Sequence, residues 1–94
     1  MPTYILLSTL TDEGAKTISH NPGRIKEVNA ELEKLGVKVV AQYATLGAYD
    51  FVNVVEAPDN MAIARVSATL GSRGSVKITT LPAIDVDEFI RSLS

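Results

Sequence analysis

The chain has 94 residues and no cysteine, 46% of its residues are hydrophobic, and its formal net charge is −2. This length predicts a single domain with a thin core, and the lack of cysteine excludes disulfide bonds, thiolate metal ligands and thiol nucleophiles. Nucleic-acid binding requires clustered basic residues; here glutamates dilute the nearest group, so we expect no nucleic-acid partner.

The first half of the chain predicts a strand followed by two helices. Residues 4–9 form a continuous apolar run that is typical of a strand. Thr11, with acidic residues at positions 12 and 13, predicts the start of a short helix that reaches about Ser19. Asn21 and Pro22 predict the start of a second helix, in which apolar residues recur with helical spacing until Gly36.

The second half predicts a β-hairpin, a helix, a strand and a terminal helix. The hairpin covers residues 37–57, and Asp59 then caps a helix that a glycine-containing segment at 71–74 ends. Residues 76–84 form the fourth strand, and a proline inside it favours an edge position. Asp85 caps a terminal helix with four apolar residues on one face: Val86, Phe89, Ile90 and Leu93.

This element order predicts a ferredoxin-like βαββαβ fold of the α+β class, with a four-stranded antiparallel sheet in one domain over residues 1–94. Alternation places residues 37, 39, 41 and 43 on one face of the second strand and Val40 and Ala44 on the other. Phe51 and Val55 oppose Val52 and Val54 on the third strand. Strands that are apolar on both faces are covered on both, so we expect two copies to pair into a dimeric α+β barrel, as a homodimer or higher homo-oligomer.

The corner of the hairpin is a candidate ligand site. In the ordinary interpretation Gly47 supplies a positive-φ turn position, Tyr49 packs on the hairpin and Asp50 bonds to turn amides. In the functional alternative the Tyr49 hydroxyl and the Asp50 carboxylate hold an amine or hydroxyl of a ligand in a cleft. One of the adjacent threonines 79 and 80 must face away from the helices, and Thr80 completes the ligand-binding candidates: Tyr49, Asp50 and Thr80.

No other motif assigns a reaction or a cofactor. His20 is the only histidine and lacks partners at metal-ligand spacing, which favours an exposed loop position over a metal or catalytic role. The segment 71–75 contains two glycines and an arginine, but it follows a helix, whose C-terminal end disfavours anions. We therefore expect no cofactor and no metal, and the catalytic residues stay unassigned.

Three segments carry a resemblance to a known family. The start MPTYILL (1–7), the turn GAYDFV (47–52) and the segment LGSRGSV (70–76) resemble the GYD-domain proteins, which are stand-alone chains of about this length. The likeness covers essentially the whole chain. Since the function of that family is largely uncharacterised, the resemblance implies a fold and assigns no reaction.

Residues 37–84 also resemble, more distantly, the effector-binding domain of feast/famine-type (Lrp/AsnC-like) regulators. The shared plan is a strand, a G-x-Y-D-like turn, a strand, Pro-Asp, a helix, a glycine break and a Thr-Thr strand. The resemblance implies a dimeric α+β barrel that binds amino acids or similar small molecules at contacts between dimers. The chain lacks a helix-turn-helix, so we expect no direct DNA binding.

The sequence thus predicts an oligomeric protein that binds a small metabolite, between sheet and helices or between subunits. The first alternative is a cofactor-poor enzyme of monooxygenase or isomerase type, with His20 or Asp50 as base; the second is a structural oligomer without a ligand. No apolar run approaches the ~20 residues that span a bilayer, and no basic region precedes the first one. We therefore expect a cytoplasmic protein with no membrane partner.

Overall fold

The computed structural model describes residues 1–94 and contains four strands and four helices. Every element predicted from the sequence is present. In chain order they are β1 (Thr3–Leu10), α1 (Asp12–His20), α2 (Arg24–Lys34), β2 (Lys38–Ala44), β3 (Phe51–Glu56), α3 (Asn60–Ser72), β4 (Val76–Ala83) and α4 (Val86–Ser92).

The strands form one antiparallel sheet in the order β2-β3-β1-β4. This order, with the crossing helices on one side, is the ferredoxin-like arrangement, and the predicted α+β fold class is confirmed. The edge position of β4 explains Pro82, which lies opposite Tyr4 on β1. Proline has no backbone N–H to donate. In an edge strand its nitrogen can face away from the sheet, where no neighbouring strand requires a donor.

Helices α1, α2 and α3 cover one face of the sheet. On β1 the buried side chains are those of Tyr4, Leu6 and Ser8, while the alternate residues Ile5 and Leu7 are only half-buried. The core consists of eight buried apolar residues from this face and from the helices and loops against it: Tyr4, Leu6, Leu32, Val37, Val55, Ala57, Ile63 and Val66. Only ten of the 94 residues are buried, so one chain has the thin core that its length predicts.

The opposite face of the sheet has no helix over it. Its apolar side chains are brought together by the strand register, which places Ile5 between Val54 and Leu81, and Leu7 beside Val52. Tyr43 of β2, opposite Val52, is 60% exposed. We call this surface the open face; its apolar members are Ile5, Leu7, Ala41, Tyr43, Val52, Val54 and Leu81.

A β-bulge at Val40 overturns one part of the predicted alternation. Val39 pairs with Val55, whereas the next paired residue, Ala41, lies opposite Val54. The extra residue switches the side-chain alternation, so Val39 lies on the helix-covered face and Ala41 on the open face. The sequence-based assignment of residues 37, 39, 41 and 43 to a single face was therefore wrong.

The start of α2 also differs from the prediction. Asn21 ends α1, because its backbone N–H donates to the Thr17 carbonyl. Residues 21–23 then connect the two helices: Arg24 N–H donates to the Asn21 carbonyl and Ile25 N–H to that of Pro22. Helix α2 begins at Arg24, two residues after the predicted first position, because Asn21 and Pro22 connect the two helices.

The predicted caps of three helices are confirmed. The Thr11 side chain accepts a hydrogen bond from Gly14 N–H, and the Asp59 side chain accepts one from Ala62 N–H. Asp85 accepts from two backbone N–H groups at the start of α4. Each cap satisfies donors that the first turn of a helix leaves unpaired.

Helix α4 stands apart from the rest of the chain. None of its residues is buried, and it does not pack extensively on any other element. Its apolar residues are at least half exposed, with Phe89 at 50%, and Leu93, which follows the helix, is 73% exposed. Together with Ile84, which is 72% exposed, they form an apolar terminal arm that continues from the end of β4.

Candidate functional site

A pocket lies between the sheet and helices α1, α2 and α3. Its volume is about 140 Å³. This is far larger than the water-sized voids of ordinary interiors. We call it the inner pocket; it is lined by Leu6, Ser8, Leu10, Gly14, Thr17, Ile18, Arg24, Ile25, Val28, Asn29, Leu32, Gln42, Phe51, Asn53, Leu70, Arg73, Ser75, Val76 and Ile78.

The mouth of the inner pocket lies between α1 and the end of α3. Among the lining residues only Thr17 and Arg73 are exposed, and they mark this opening. The Arg73 guanidinium lies 2.6 Å from a carboxylate oxygen of Glu31 on α2, and the other oxygen of Glu31 lies 3.3 Å from Arg24. This arginine–glutamate–arginine bridge ties α2 to the end of α3 beside the mouth.

The bridge fixes the charge state of Glu31. The hydrogen bond and the positive charge of Arg73, with a smaller contribution from Arg24, lower the pKa of the Glu31 carboxyl below its ordinary value. Glu31 thus stays ionised at neutral pH and, together with Glu27, whose carboxylate lies 3.1 Å from Arg24, balances the two arginine charges. The bridge is about one-third exposed, so water and salt screen it.

We expect the Glu31→Gln variant to lose stability in a pH-dependent way. A carboxyl whose pKa is lowered by folding contributes stability above its unfolded pKa, and that contribution disappears as the pH falls through the folded pKa. The difference in urea midpoint between wild type and E31Q should therefore be largest near neutral pH and should shrink on acidification. NMR titration of the Glu31 carboxyl supplies the second check, because Arg73→Ala should raise its pKa; an unchanged pKa would contradict the assignment.

Eight of the lining residues of the inner pocket are polar or charged, and among fully buried side-chain polar atoms only one has no hydrogen-bond partner. The Asn29 and Gln42 amides pair with each other through hydrogen bonds of 2.8 and 3.3 Å. Asn53 of β3 differs from them, because its Oδ1 is buried and accepts no hydrogen bond. An unpaired buried acceptor costs about 1–3 kcal/mol of stability, so the hydrogen bonding of the Asn53 side chain is incomplete.

The hairpin corner positions the end of β1. Gly47 has a φ of +106°, as the turn prediction requires. Asp50 Oδ2 accepts a hydrogen bond of 2.8 Å from Leu10 N–H, and Asp50 N–H donates to the Ser8 carbonyl at 2.8 Å. The Tyr49 carbonyl accepts from the Thr45 hydroxyl, and the Tyr49 side chain is exposed. Asp50 thus bonds across to β1, although the ordinary interpretation expected it to bond within the turn.

Asp50 is therefore expected to matter for stability. Asp50→Ala removes the acceptor for Leu10 N–H and should lower the free energy of unfolding by about 1.5 kcal/mol, the scale of a hydrogen bond to a charged group. Asp50→Asn keeps an oxygen acceptor and should lose much less. Urea unfolding of the two variants and the wild type checks this; equal losses in both variants would contradict it.

Thr80 lies on the side of the sheet that carries the helices. It pairs with the buried Leu6, and its hydroxyl is 2.8 Å from that of Ser67 on α3. The threonine on the open face is Thr79, opposite Leu7. Thr80 lies four positions along β4 from Val76, the residue opposite Leu10, which is a distance of about 13 Å.

The three predicted ligand residues thus do not converge on one site. Tyr49, Asp50 and Thr80 are all absent from the lining of the inner pocket. Asp50 borders it indirectly, through Leu10 and Phe51, which do line it. The ligand role of these three residues stays a prediction.

His20 is the last residue of α1 and is exposed. Its Nδ1 lies 2.8 Å from the Lys16 carbonyl of the same helix. His20 does not line the inner pocket, and no three acidic or histidine side chains are grouped as a metal site requires. None of the helices combines the length and apolar content that crossing a membrane demands.

Sequence reasoning missed the polar residues of the inner pocket. Asn53 and Gln42 are polar positions within otherwise apolar strands, and that interruption is the signal that could have found them. For Gln42 the signal was hidden, because the bulge at Val40 decides which face it occupies. For Asn53 the strand alternation expected for β3 was correct. It implies that Asn53 shares the helix-covered face with Phe51 and Val55.

The fold and the inner pocket together define a small ferredoxin-like α+β protein with a mainly apolar internal site. The model of the GYD domain matches residues 4–93. The chain therefore belongs to the GYD domain family, as its three motifs predicted. The more distant likeness to feast/famine-type regulators stays a prediction.

Two comparisons with other proteins add to this family assignment. A protein of Thermus thermophilus named glutamine synthetase and cystathionine beta-lyase binding protein is 64% identical over 94 residues, covering 99% of each chain. The crystal structure of TTHA0845, also from Thermus thermophilus, superposes with a TM-score of 0.58 at 22% identity, covering 90% of this chain and 95% of that one. This structural match supports the fold alone.

Proposed function

We propose that this protein is a homo-oligomeric binding protein whose partners are enzymes, with glutamine synthetase and cystathionine beta-lyase as the first candidates. The observation that carries the proposal is the 64% identity, over 99% of both chains, to a protein that is named for binding these two enzymes. Full-length coverage means that no domain of that relative is missing here.

The exposed apolar surfaces support a role in association. A chain with ten buried residues leaves both the open face and the terminal arm uncovered. Large contiguous apolar patches on a small protein usually mark interaction sites. The proposed occupant of the open face is a second copy of the chain. The apolar side chains of β1 and β3 continue across this face. The sheet of a second copy, related by a twofold axis, would cover them.

Small-molecule binding is the second part of the proposal, and the inner pocket favours it. Ten of its 19 lining residues are hydrophobic, and the polar residues among the others could orient a ligand, as in typical ligand sites. It lies between sheet and helices, one of the two places that the sequence predicted. The cytoplasmic location expected from the cysteine-free composition belongs to the same proposal.

Surface plasmon resonance with purified enzymes tests the association. Glutamine synthetase and cystathionine beta-lyase from the same organism are immobilised separately, with an unrelated oligomeric enzyme as the reference. We expect saturable binding of this protein to at least one of the two and none to the reference. Absence of binding to both at micromolar concentrations would overturn the enzyme-binding proposal.

A further inference from the structure

We propose that the inner pocket binds an uncharged molecule with an apolar body and a carbonyl oxygen, which accepts hydrogen bonds from the Ser8 hydroxyl and from the side-chain NH₂ group of Asn53. This inference rests on the proposed small-molecule role and specifies the chemistry of the ligand, independently of the enzymes with which the protein associates. Three features of the lining support it: the side chains that lack partners, their placement by the strands and the balance of the nearby charges.

Ser8 is the most deeply placed polar side chain of the pocket. It is 6% exposed, it is the one polar residue among the buried residues of the chain, and it lines the pocket. Its backbone carbonyl accepts a hydrogen bond from Asp50 N–H, but its hydroxyl makes no hydrogen bond within the protein. Because buried hydroxyls ordinarily have a partner, Ser8 presents an unmet donor to the occupant of the pocket.

The side-chain NH₂ group of Asn53 is the second donor without a partner. Oδ1 of this amide is fully buried, so a ligand in the pocket cannot reach it. The NH₂ group is not fully buried and makes no hydrogen bond, so it is the end of the amide that a ligand meets. The amides of Asn29 and Gln42, which line the same pocket, already pair with each other. Ser8 and Asn53 thus supply two donors for one acceptor.

The sheet brings these two donors together. Asn53 lies opposite Leu6, and Ser8 lies opposite Phe51, so Ser8 and Asn53 are diagonal neighbours on the helix-covered face. The Cα atoms of such neighbours are about 7–8 Å apart, a separation that one oxygen atom between the two side chains can bridge. A carbonyl oxygen has two lone pairs and no hydrogen, so it accepts from both donors.

The charges around the pocket favour an uncharged ligand. Arg24 and Arg73 are the only charged residues of the lining, and the carboxylates of Glu27 and Glu31 lie within 3.3 Å of them. These two carboxylates balance the two arginines. An ionised carboxylate beside the two buried donors would lose its hydration without a free counter-charge, whereas a neutral carbonyl group loses much less.

The rest of the lining favours an apolar body on the ligand. Ten of the 19 lining residues are hydrophobic, and they come from the sheet and from all three helices that cover it. A water molecule can accept the same two hydrogen bonds, but it leaves this apolar surface uncovered. A ligand that combines a carbonyl oxygen with an apolar body satisfies the donors and covers the surface together.

Cyclohexanone and methylenecyclohexane test this chemistry, because they share a ring and a shape and only the ketone has a strong acceptor. NMR titration follows the Asn53 side-chain amide and the methyl groups of Leu6 and Val28, which cyclohexanone should shift. Ser8→Ala should weaken cyclohexanone binding about tenfold, which corresponds to about 1.4 kcal/mol for one lost hydrogen bond, and should not weaken methylenecyclohexane. Equal cyclohexanone affinity in wild type and S8A, or shifts confined to residues outside the pocket, would overturn the inference.

Ser75→Ala is the matched control for this substitution. Ser75 also lines the pocket, but it lies three residues along the chain from Ile78, the residue of β4 that is opposite Ser8. This separation is about 10 Å along the strand, too far for an oxygen that Asn53 also contacts. Cyclohexanone should therefore bind S75A as it binds wild type. A loss of affinity in S75A as large as that in S8A would overturn the role of Ser8.

The two donors can be tested without disturbing the fold. Ser8→Ala removes a hydroxyl that has no partner within the protein, so the free variant should be as stable as wild type in urea. Asn53→Ala removes the other donor, and it should also weaken cyclohexanone binding about tenfold. Unchanged cyclohexanone binding in N53A would overturn the role of Asn53.

The probe titration and the enzyme-binding assay fail independently. If cyclohexanone behaves as expected and neither enzyme binds, the ligand site stands and the enzyme proposal falls. If an enzyme binds and Ser8→Ala leaves cyclohexanone binding unchanged, the ligand chemistry proposed here falls and the association stands. If neither probe binds wild type at millimolar concentration, the small-molecule role of the pocket falls as well.

Discussion

Replacing Gly14 with alanine is expected to lower the free energy of unfolding by about 3 kcal/mol, the upper range for overfilling a packed site. A Cβ at Gly14 would lie 2.0 Å from the backbone carbonyl oxygen of Ser75. That carbonyl cannot move freely, because it accepts a hydrogen bond of 3.0 Å from Thr11 N–H. The Thr11 hydroxyl also donates to the Gly74 carbonyl, so the start of α1 and the start of β4 are held together at this point.

Gly71 supplies the matched control for this prediction. It lies in α3 without a positive φ, and a Cβ there would meet no atom within 4 Å. Gly71→Ala should therefore raise stability by about 0.5 kcal/mol, through its higher helix propensity. Urea unfolding of both variants gives the comparison; equal and small effects would contradict the close contact at Gly14.

Replacing Val54 with lysine is expected to convert the proposed oligomer into a monomer of 10.1 kDa. Val54 lies near the centre of the open face, between Ile5 of β1 and Ala41 of β2. A lysine at the centre of a face-to-face contact would bury an unpaired charge in each subunit, which costs several kcal/mol. The measurement is light scattering after size-exclusion chromatography, at concentrations where the wild type is fully associated.

Ala64→Lys provides the control for the assembly experiment. Ala64 is exposed on α3, on the side of the chain away from the open face. The A64K variant should keep the mass of the wild-type oligomer and have the same net charge as V54K. A wild type that is monomeric, or a V54K variant that associates like A64K, would overturn the pairing of open faces.

The order of elements could be predicted from sequence because local signals agree with the fold. The caps Thr11, Asp59 and Asp85 mark three helix starts, and each is used as expected. Pro82 identified the edge strand. These signals act through hydrogen bonds within a few residues, so they do not depend on tertiary contacts.

The site was harder to predict because it depends on contacts between distant segments. Asp50 looks like a turn residue, and its partner, Leu10 N–H, is 40 residues away in the chain. The bulge at Val40 changes which side chains of β2 meet the helices. Asn53 is conspicuous only once the amides of Asn29 and Gln42 are seen to pair with each other. A local sequence pattern contains no information about these contacts between distant residues.

The isolation of α4 has a practical consequence for work on this protein. A helix of seven residues is too short to be stable in water without packing, and none of its residues is buried. Proteases cleave such weakly anchored termini first, so brief digestion should yield a shortened chain that retains the sheet and the inner pocket. This product would show how much of the association comes from the terminal arm, and affinity tags are better placed before Met1 than after Ser94.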